Sequence, residues 1–482
     1  MQLHRTNITI KPDSRRVLLR PFEPGRKIQT SHMVERIMAL AEEDVQIELQ
    51  QIMTNFEHRH RDLTAFFRKR FEQTKHYLPP DQNISELRKL LFGACFSMEY
   101  STEAAALFNP SMVWHPDQTN LHDGSKRFIL SLRSTGEGHI SSISFQSGVI
   151  DRDLDIRLDD RSQFVTSPEI IESNRYEKNL FEKKLAASGI LNDFTSYILT
   201  GLKDNFGFDE LNSAVQQSLP DWEHKKEEFA DYADKMLCLA QANYQIRFPD
   251  ETDLTEQIIF PISKSEKNGI EDARFVCFMN DDGSHTYYAT YTAYDGKAIT
   301  SQLLETADFQ TFNIHTLHGS EVQNKGMALF PRKINGRYAM LSRQDNEQNF
   351  IMFSDHLHYW NSKQAIMQPE FHWECIQLGN CGSPIETEAG WVVLTHGVRP
   401  MRSYSISAIL LDLNDPAKII GRLKEPLIRP SENEREGYVP NVVYSCGGVC
   451  FERTLIIPYA MSDSVSSIAL VNIDDLVTEL TL

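Results

Sequence analysis

Residues 391–411, WVVLTHGVRPMRSYSISAILL, hold the pattern that decides the fold. Two short apolar runs, Trp391–Thr395 and Ile406–Leu411, stand on either side of a polar stretch that includes a glycine and a proline. Runs of four to eight residues bounded by turn-forming residues are typical of β-strands. We therefore predict a strand for each run, and we assign Trp391 to the core because apolar residues follow it directly.

The same pattern of short apolar runs bounded by turn-forming residues continues through most of the chain. Further apolar runs separated by Gly, Asn and Asp lie at Tyr287–Tyr294, Met327–Phe330, Tyr338–Leu341, Val439–Tyr444 and Leu455–Tyr459, and Asn109–Phe145 resembles them. A short motif, a small or hydroxyl residue followed by Asp and then an aromatic, recurs near Asp308 and Asp355. Strand-only repeats of about 50 residues are typical of β-propellers. The predicted fold class is mainly β, a five-bladed β-propeller.

Two segments show helical spacing of apolar residues instead. One runs over 30–78 and is expected to form one long helix or two in series. The other runs over 168–242, where Ser167-Pro168-Glu169 predicts a helix start and Leu219–Trp222 a break. The predicted domains are a 1–105 N-terminal strand and long helical segment, the first part of the propeller at 106–165, a helical insertion at 166–246, and the remainder of the propeller at 247–482.

Composition and charge limit the partners and the cellular location that we expect for this protein. The chain has 482 residues and a formal net charge of −18, which argues against nucleic acid or an anionic membrane as the main partner. No run approaches about 18 apolar residues, and the polar N-terminus does not resemble a signal peptide. Seven scattered cysteines predict reduced thiols rather than a disulfide framework. We expect a cytoplasmic protein.

Two cations flank a predicted hairpin. Lys325 stands at the head of the run 327–330, and Arg343 closes the run 338–341. The stretch 334–337, Ile-Asn-Gly-Arg, predicts the turn between the runs. Because antiparallel pairing returns the chain to the same end of a sheet, we expect both side chains to face one channel mouth, where propellers carry their functional loops.

A carboxylate pair precedes another predicted strand. Residues 269–274 read Gly-Ile-Glu-Asp-Ala-Arg, which places Glu271 and Asp272 beside Arg274. A salt bridge within a turn and a catalytic acid would use the same residue types. His396, which follows the run 391–395, is open to the same two interpretations, structural or functional.

Several motifs, taken in their order along the chain, resemble the β-mannoside phosphorylases of glycoside hydrolase family 130. The resemblance covers residues 108–151 and 269–482, and the helical segments resemble those of the larger members acting on β-1,2-linked mannooligosaccharides. The motifs are Asn109-Pro110-Ser111, Leu132-Arg133-Ser134 with Gly138-His139-Ile140-Ser141, Gly269–Arg274, Tyr291–Gly296, Leu329–Ile334, and Gly390-Trp391 with His396-Gly397-Val398.

This resemblance implies reversible, inverting phosphorolysis on a five-bladed propeller. A terminal β-mannosyl residue, most often of a β-1,2-mannooligosaccharide, would pass to inorganic phosphate and form α-D-mannose 1-phosphate. By the family pattern Asp272 is the general acid, acting through the mannosyl 3-hydroxyl. The implied phosphate-binding residues are Lys325, Arg343, His396 and Tyr404. The implied sugar contacts are Asn109, Arg133, His139, Arg274, Asp295 and Asp463.

The chemistry of phosphorolysis suits these residue types. An inverting hydrolase needs a general acid and also a base that activates water. Phosphate is already anionic and nucleophilic, so it needs cations that hold it in line. Arg343 can bind it as a fork and Lys325 as a point charge. We expect His396 to contribute most when protonated, so that activity falls at alkaline pH.

One position departs from the family pattern. Many members carry a lysine where this chain has Gln377, and the change removes one phosphate cation. A basic run on the first predicted helix could replace that cation as a lid, although such runs are usually solvated faces. Its members are Arg59, His60, Arg61, Arg68, Lys69 and Arg70.

Other functions stay open at this point. A β-mannosidase would use water with Glu271, Glu321 or Glu347 as base, and a β-1,4-mannooligosaccharide or mannosylglucose phosphorylase would use the same site. A non-catalytic glycan-binding propeller would use Trp360, Trp373 and Trp391 as stacking platforms. The expected partners are a mannooligosaccharide and inorganic phosphate, not nucleic acid or membrane, with homo-oligomerisation through the helical segments. No cofactor and no metal are expected.

Overall fold

Antiparallel β-sheets make up most of the molecule. The computed structural model describes residues 1–25, 27–79, 83–171, 175–218 and 226–482. Its strands are β1 (Leu3–Ile10), β2 (Val17–Pro21), β3 (Ser97–Ser101), β4 (Ala106–Trp114), β5 (Lys126–Thr135), β6 (Ser141–Ile150), β7 (Ile156–Leu158), β8 (Glu169–Ile171), β9 (Tyr176–Glu177), β10 (Asn205–Phe206), β11 (Tyr244–Arg247), β12 (Ile258–Ile259), β13 (Ile270–Met279), β14 (His285–Tyr294), β15 (Ile299–Thr306), β16 (Thr311–Thr316), β17 (Ala328–Leu329), β18 (Tyr338–Ser342), β19 (Asn349–Ser354), β20 (Gln364–Met367), β21 (Gln377–Asn380), β22 (Ile385–Thr387), β23 (Gly390–Arg399), β24 (Ser403–Leu411), β25 (Ile419–Arg422), β26 (Val443–Tyr444), β27 (Val449–Phe451), β28 (Thr454–Met461) and β29 (Val465–Asn472).

Most helices fall in two segments of the chain. They are α1 (Lys27–Ala39), α2 (Glu42–Phe56), α3 (Leu63–Thr74) and α4 (Glu86–Cys95) near the N-terminus, α5 (Lys178–Ala187), α6 (Asp193–Thr200), α7 (Phe208–Ser218) and α8 (Lys226–Gln241) in the middle, and α9 (Ile473–Leu480) at the C-terminus. Among the helices of the described residues, none combines the length and the apolar character needed to cross a bilayer.

Five sheets of four to six strands follow one another through the described chain. The first contains β4–β7 and β12, the second β8, β11 and β13–β16, the third β17–β20, the fourth β21–β25, and the fifth β1 and β26–β29. Each sheet contacts the next, and the fifth contacts the first through β28 and β4. The strands β4, β13, β17, β21 and β26 each make one of these contacts to a neighbouring sheet.

An apolar core fills the junctions between neighbouring sheets. Phe145 of the first sheet packs against Phe275 of the second, and Phe330 of the third packs edge-on against Trp391 of the fourth at 5.2 Å between ring centroids. Trp391 is fully buried, which confirms its assignment to the core. Burial of one such side chain stabilises the fold by roughly 1.5–3 kcal/mol. Trp360 and Trp373 are buried as well and have no face free for a sugar.

The predicted hairpin between the two cations is confirmed. Strands β17 and β18 pair antiparallel with Ala328 opposite Leu341, and Ile334 bridges Arg337 at the turn. Apolar alternation and an Asn-Gly turn were sufficient to identify this unit because both signals are local.

The N-terminal helical segment is more divided than predicted. Three helices, α1–α3, replace the one or two expected over 30–78, and α4 follows them. Asp62 starts α3 by accepting a hydrogen bond from Ala65 N at 2.8 Å, the role of an N-cap residue. Phe71, Phe92 and Phe96 form the core between these helices.

The predicted helix start at Ser167-Pro168-Glu169 is wrong. Residues Glu169–Ile171 form β8, which pairs with β11 along Arg247 to Gln245, and the first helix of the insertion begins only at Lys178. Pairing with a distant strand overrides the local helix signal, because propensity is weak compared with tertiary hydrogen bonding and packing. The predicted break at 219–222 lies outside the described residues.

Candidate active site

Two β-bulges in neighbouring sheets bring Asn109 and Asp272 together. The register of β4 against β5 shifts between Phe108 and Ser111, and that of β13 against β14 shifts between Glu271 and Arg274. Within these shifts Asn109 and Asp272 have φ values of 49° and 55°. Bulges re-aim side chains, and strained backbone of this kind is concentrated at functional sites. The result is a hydrogen bond of 2.7 Å from Asn109 Nδ2 to Asp272 Oδ1.

Cations surround the Asp272 carboxylate. Arg133 Nη1 lies 3.3 Å from Asp272 Oδ1, while Arg133 Nη2 donates at 2.8 Å to Glu271 Oε1. Lys325 Nζ lies 3.8 Å from Glu271 Oε2. Burial alone would raise the pKa of the Asp272 carboxyl, but the positive charges of Arg133, Arg274 and Lys325 outweigh it and lower the pKa to about 2. Asp272 is therefore ionised at neutral pH when no ligand is bound.

Arg343 is a buried cation with an unsatisfied donor. The residue is 5% exposed, and its Nε has no hydrogen-bond partner among the described residues. Glycines leave the room for its side chain: a Cβ on Gly379 would lie 2.8 Å from Arg343 Cδ, and one on Gly326 would overlap the guanidinium. An unpaired buried donor is costly unless a ligand satisfies it, so Arg343 marks a place for an anion.

His396 lies behind Arg343 rather than on the surface of the site. Its Nε2 is 3.3 Å from Arg343 Nη1, and its ring stacks with that of Tyr404 at 5.8 Å. Burial lowers the pKa of His396 well below its usual value, and the positive charges of Arg343 and Arg274 act in the same direction. Without a bound anion the imidazole is therefore neutral, in contrast to the protonated ring expected from the sequence. The neutral ring accepts a hydrogen bond from Arg343, and loss of activity at alkaline pH does not follow from His396.

These residues meet in one cavity of about 330 Å³. Seven of the residues predicted from the sequence line it: Asn109, Arg133, Asp272, Lys325, Arg343, Tyr404 and Asp463. A larger cavity of about 770 Å³ lies against the helical insertion, between Tyr176, Phe208 and Tyr244. The smaller cavity is the stronger candidate because it gathers charged groups of both signs on strained backbone, as catalytic sites do.

Asp463 faces this cavity from the turn between β28 and β29. Its φ is 48°, and the residue is half-buried. Burial and the negative charge of Asp272 raise the pKa of Asp463 to about 6. The two carboxyl groups consequently differ by several pKa units although they line the same cavity.

Three predicted sugar contacts do not line the cavity. Arg274 lies beneath it, where its guanidinium donates to Asp272 O at 2.9 Å, to Cys381 O at 2.8 Å and to Tyr444 Oη at 2.9 Å. His139 lies in the β5–β6 connection, with Nδ1 2.9 Å from Tyr438 Oη.

Asp295 is the third of them. It lies in the exposed β14–β15 turn, where its Oδ1 accepts the backbone N–H groups of Lys297 and Ala298 at 2.7 and 2.6 Å. This is the usual task of an aspartate that shapes a turn, and it leaves the carboxylate oriented toward its own loop.

The prediction omitted several residues of the cavity wall. These are Glu271, Asn346, Gln377, Arg402, Val442 and Tyr444. Glu271 was assigned a role from the sequence only as a base of the alternative hydrolase, and Gln377 was noted only as the position where a phosphate cation is missing. Arg402 and Asn346 have φ values of 53° and 60°, which no pattern of residue types reveals. In the sequence, the one feature that could have pointed to Arg402 is that it lies two residues before Tyr404, a predicted phosphate-binding residue.

The basic run on the N-terminal helices does not contribute to the described cavity wall. Arg59 and His60 contact Glu99 at 2.9 and 2.8 Å, and Arg61 forms an ion pair with Glu256. These contacts hold the helical segment to the β-sheets. The lid that could replace the charge missing at Gln377 is not formed by these residues in the structure.

Comparison with known proteins adds sequence relationships to this geometry. A 1,2-beta-oligomannan phosphorylase from Thermoanaerobacter sp. (strain X514) is 35% identical over 218 residues, 44% of this chain and 72% of its own length. A beta-1,2-mannobiose phosphorylase from the same organism is 35% identical over 208 residues, 42% of this chain and 67% of its own length. The solved beta-1,2-mannobiose phosphorylase from Listeria innocua aligns over 78% of this chain and 92% of its own, with 20% identity and a TM-score of 0.46.

The profile of the family Glyco_hydro_130, described as beta-1,4-mannooligosaccharide phosphorylase, matches residues 228–481. The matched part contains Asp272, Lys325 and Arg343, while Asn109 and Arg133 precede it. Because the match spans more than half of the 482 residues, the chain belongs to glycoside hydrolase family 130.

Proposed function

We propose that this protein is a β-mannoside phosphorylase that transfers the terminal mannosyl residue of a β-1,2-mannooligosaccharide to inorganic phosphate. The observation that carries the proposal is the buried Arg343 guanidinium, whose Nε lacks a partner among the described residues, in the same cavity as Asp272 and Lys325. Phosphate would satisfy that donor. The β-1,2 linkage is taken from the relatives, two of which are named for it.

In the proposed reaction one carboxyl group suffices. A phosphate oxygen attacks C1 of the mannosyl residue from the face opposite the leaving oxygen, and the C1–O bond breaks with inversion to the α-configuration. Asp272 supplies the proton that reaches the leaving oxygen, through the mannosyl 3-hydroxyl. The proton that HPO₄²⁻ carried into the site then restores Asp272. The products are α-D-mannose 1-phosphate and a shortened mannooligosaccharide.

Phosphate binding would also raise the pKa of the Asp272 carboxyl, so that this group can act as the general acid. The pKa of Asp272 is low without ligand because cations lie close to it, chiefly Arg133, Arg274 and Lys325. A bound dianion beside Lys325 and Arg343 opposes those positive charges and so raises the pKa of Asp272 toward neutrality. The acid becomes protonated when its nucleophile is in place, which couples the two substrates.

The sugar would lie on the side of Asn109, Arg133 and Asp463. Asn109 Oδ1 is buried and has no hydrogen-bond partner among the described residues, so it can accept a sugar hydroxyl. Arg133 Nη1 and Asp463 face the same cavity and offer a donor and an acceptor. His139 and Asp295 would contribute only if a longer substrate reached the rim.

We also propose that the five sheets are the blades of a propeller around this cavity. Supporting this, each sheet contacts the next and the fifth contacts the first, and apolar clusters occupy these junctions. The strand β1 completes the fifth sheet by pairing with β29. In this arrangement 106–165 and 247–482 supply most of the propeller and 1–105 and 166–246 supply the helical additions, but β1 completes the fifth sheet and β8 and β11 complete the second.

The test is a phosphate-dependence experiment. The purified protein is incubated with β-1,2-mannotriose or β-1,4-mannotriose, with and without millimolar phosphate, and mannose 1-phosphate is measured. We expect product only with phosphate and only from the β-1,2 substrate. Asp272→Asn should reduce the rate by about 10²–10⁴-fold.

Other outcomes identify the alternatives. Product from the β-1,4 substrate would move the linkage to that of the family description. Free mannose formed equally with and without phosphate would contradict phosphorolysis and make the protein a hydrolase. Of Glu271, Glu321 and Glu347, Glu271 is the one that lines the cavity and could act as base.

A further inference from the structure

The cavity wall contains a cation that the family pattern did not indicate. Arg402 lines the cavity, as does Gln377, the position where many family members carry a lysine. No hydrogen bond or ion pair to another residue of the described chain engages the Arg402 guanidinium. It is thus free to bind a ligand, whereas Arg133 is already held by Asp272 and Glu271.

Arg402 lies in a turn whose backbone has an unusual conformation. It lies in the Pro400–Arg402 turn that joins β23 to β24, the strands that carry His396 and Tyr404. Both Met401 and Arg402 are in the left-handed region, with φ values of 64° and 53°. Such a conformation is unfavourable for a residue other than glycine, and where it persists it is commonly part of a functional site.

The charges of the cavity wall favour an anion-binding role for this cation. The cations of the cavity wall are Arg133, Lys325, Arg343 and Arg402, and its carboxyl groups are Glu271, Asp272 and Asp463. With Asp272 protonated as the acid, the ionised Glu271 and Asp463 and a phosphate dianion together carry four negative charges. The four cations of the wall match them, and Arg274 beneath the cavity adds a fifth positive charge.

We infer that Arg402 binds the phosphate and replaces the cation that is absent at Gln377. This inference rests on the proposed function, since it names a further residue of the same phosphate site. An arginine side chain can form two parallel hydrogen bonds to phosphate oxygens, and Arg402 lines the same cavity as Arg343.

The experiment measures phosphate and sugar separately in Arg402→Ala. We expect the KM for phosphate to rise about ten- to a hundredfold, as for loss of a charged hydrogen bond, with the KM for the mannooligosaccharide unchanged. The Kd of inorganic phosphate, measured by calorimetry without turnover, should rise by the same factor. Arg399→Ala on the same hairpin, outside the cavity wall, is the matched control and should leave both values unchanged.

A rescue variant makes the assignment specific. Gln377→Lys introduced into Arg402→Ala should restore most of the phosphate affinity, because it returns the cation to the family position. Arg402→Lys should lie between Arg402→Ala and the unaltered protein. Thermal unfolding of each variant verifies that it is folded.

The results separate this inference from the proposed function. An unchanged phosphate Kd in folded Arg402→Ala would overturn the role of Arg402, and so would a rise in the KM for the sugar alone. Turnover by the unaltered protein without phosphate would instead overturn phosphorolysis. In that case the calorimetric Kd still decides whether Arg402 binds phosphate.

Discussion

At the scale of single residues, the candidate site is built from backbone conformations that most side chains avoid. Asn109, Asp272, Asp463 and Arg402 all have positive φ and all line the same cavity. Their strain is maintained by sheet pairing on either side of each bulge or turn, so the side chains are aimed before a ligand arrives. Preorganised charges of this kind favour a charged transition state because they need not reorganise during the reaction.

From the raised pKa of Asp463 we predict that its carboxylate supports activity but lowers the stability of the protein at neutral pH. Its folded pKa of about 6 is above the ordinary value of 3.8, so the folded protein binds this proton more strongly than the unfolded chain does. The contribution of Asp463 to stability therefore falls as the pH rises from about 4 to about 6. Asp463→Asn should be more stable at pH 7.5 by roughly 1–3 kcal/mol and should lose activity. Urea unfolding at several pH values measures this.

The pH dependence distinguishes this explanation from a general packing effect. The gain of Asp463→Asn should shrink as the pH falls toward 4, where the native carboxyl is protonated. Asp355→Asn, at an exposed carboxylate, is the control and should change little at any pH. A gain that stays constant from pH 8 to pH 4 would contradict the prediction.

At the scale of elements, hairpins deliver the site residues in pairs. The β17–β18 hairpin brings Lys325 and Arg343 to one end, and the β23–β24 hairpin carries His396 and Tyr404. The strand β21 then closes against β23, with Gly379 opposite His396. Antiparallel pairing with short turns explains why one hairpin supplies two site residues, since each turn returns the chain to the same end of its sheet.

Gly379 on β21 should be essential for the position of Arg343. A Cβ there would lie 2.5 Å from His396 Cε1 and 2.8 Å from Arg343 Cδ, both closer than real contacts allow. Gly379→Ala should displace the guanidinium and raise the KM for phosphate about tenfold or more, while costing about 1–3 kcal/mol of stability by overpacking. Steady-state kinetics and thermal unfolding measure the two effects. Gly201→Ala, whose new methyl meets only one atom at 3.5 Å, is the control and should retain the phosphate KM.

The helical insertion meets the sheets through a buried amine. Lys184 of α5 donates at 3.2 Å to Asn243 Oδ1 and lies near His315, His318 and His358, whose pKa values are all lowered by burial. Burial lowers the pKa of Lys184 itself to about 8. The charged amine is therefore a destabilising element of this interface at neutral pH.

Lys184→Met should stabilise the protein near neutral pH. The folded chain binds the Lys184 proton less tightly than the unfolded chain, so stability rises with pH between about 8 and 10.5. The variant removes this cost and should gain roughly 1–3 kcal/mol at pH 7, measured by urea unfolding, with the gain vanishing near pH 10.5. Asn243 keeps its bond from Thr316 N. Lys183→Met, at the exposed neighbouring position, should show no such gain.

At the scale of the whole molecule, a buried ionic network joins segments that are far apart in sequence. Glu103 is 1% exposed and accepts hydrogen bonds from Arg16 Nε at 3.0 Å and from Arg161 Nη1 at 3.1 Å. Arg16 also donates to Thr255 O at 2.6 Å. The network ties the N-terminal segment to both sides of the helical insertion.

Glu103→Gln should therefore destabilise the whole protein. Loss of the carboxylate leaves the buried Arg16 and the half-buried Arg161 without this counter-charge, which costs about 3–5 kcal/mol. Chemical denaturation is the measurement, and the loss should appear in one cooperative transition if the network joins the segments. Arg157→Ala, in an exposed pair with Asp155, should change stability by less than about 1 kcal/mol. A similar effect of both variants would contradict the assigned role of Glu103.

The sequence by itself determined the mainly β class, the β17–β18 hairpin and the residues Asp272, Lys325 and Arg343, because strand patterns, turns and motifs are encoded by residues close together in the chain. Only the tertiary structure decided that Arg402 joins them, that His396 is neutral, and that Glu169–Ile171 is a strand. These features depend on burial, on backbone dihedrals and on partners more than 50 residues away. Such partners leave no pattern in the local sequence, so they become visible only when the sheets are assembled.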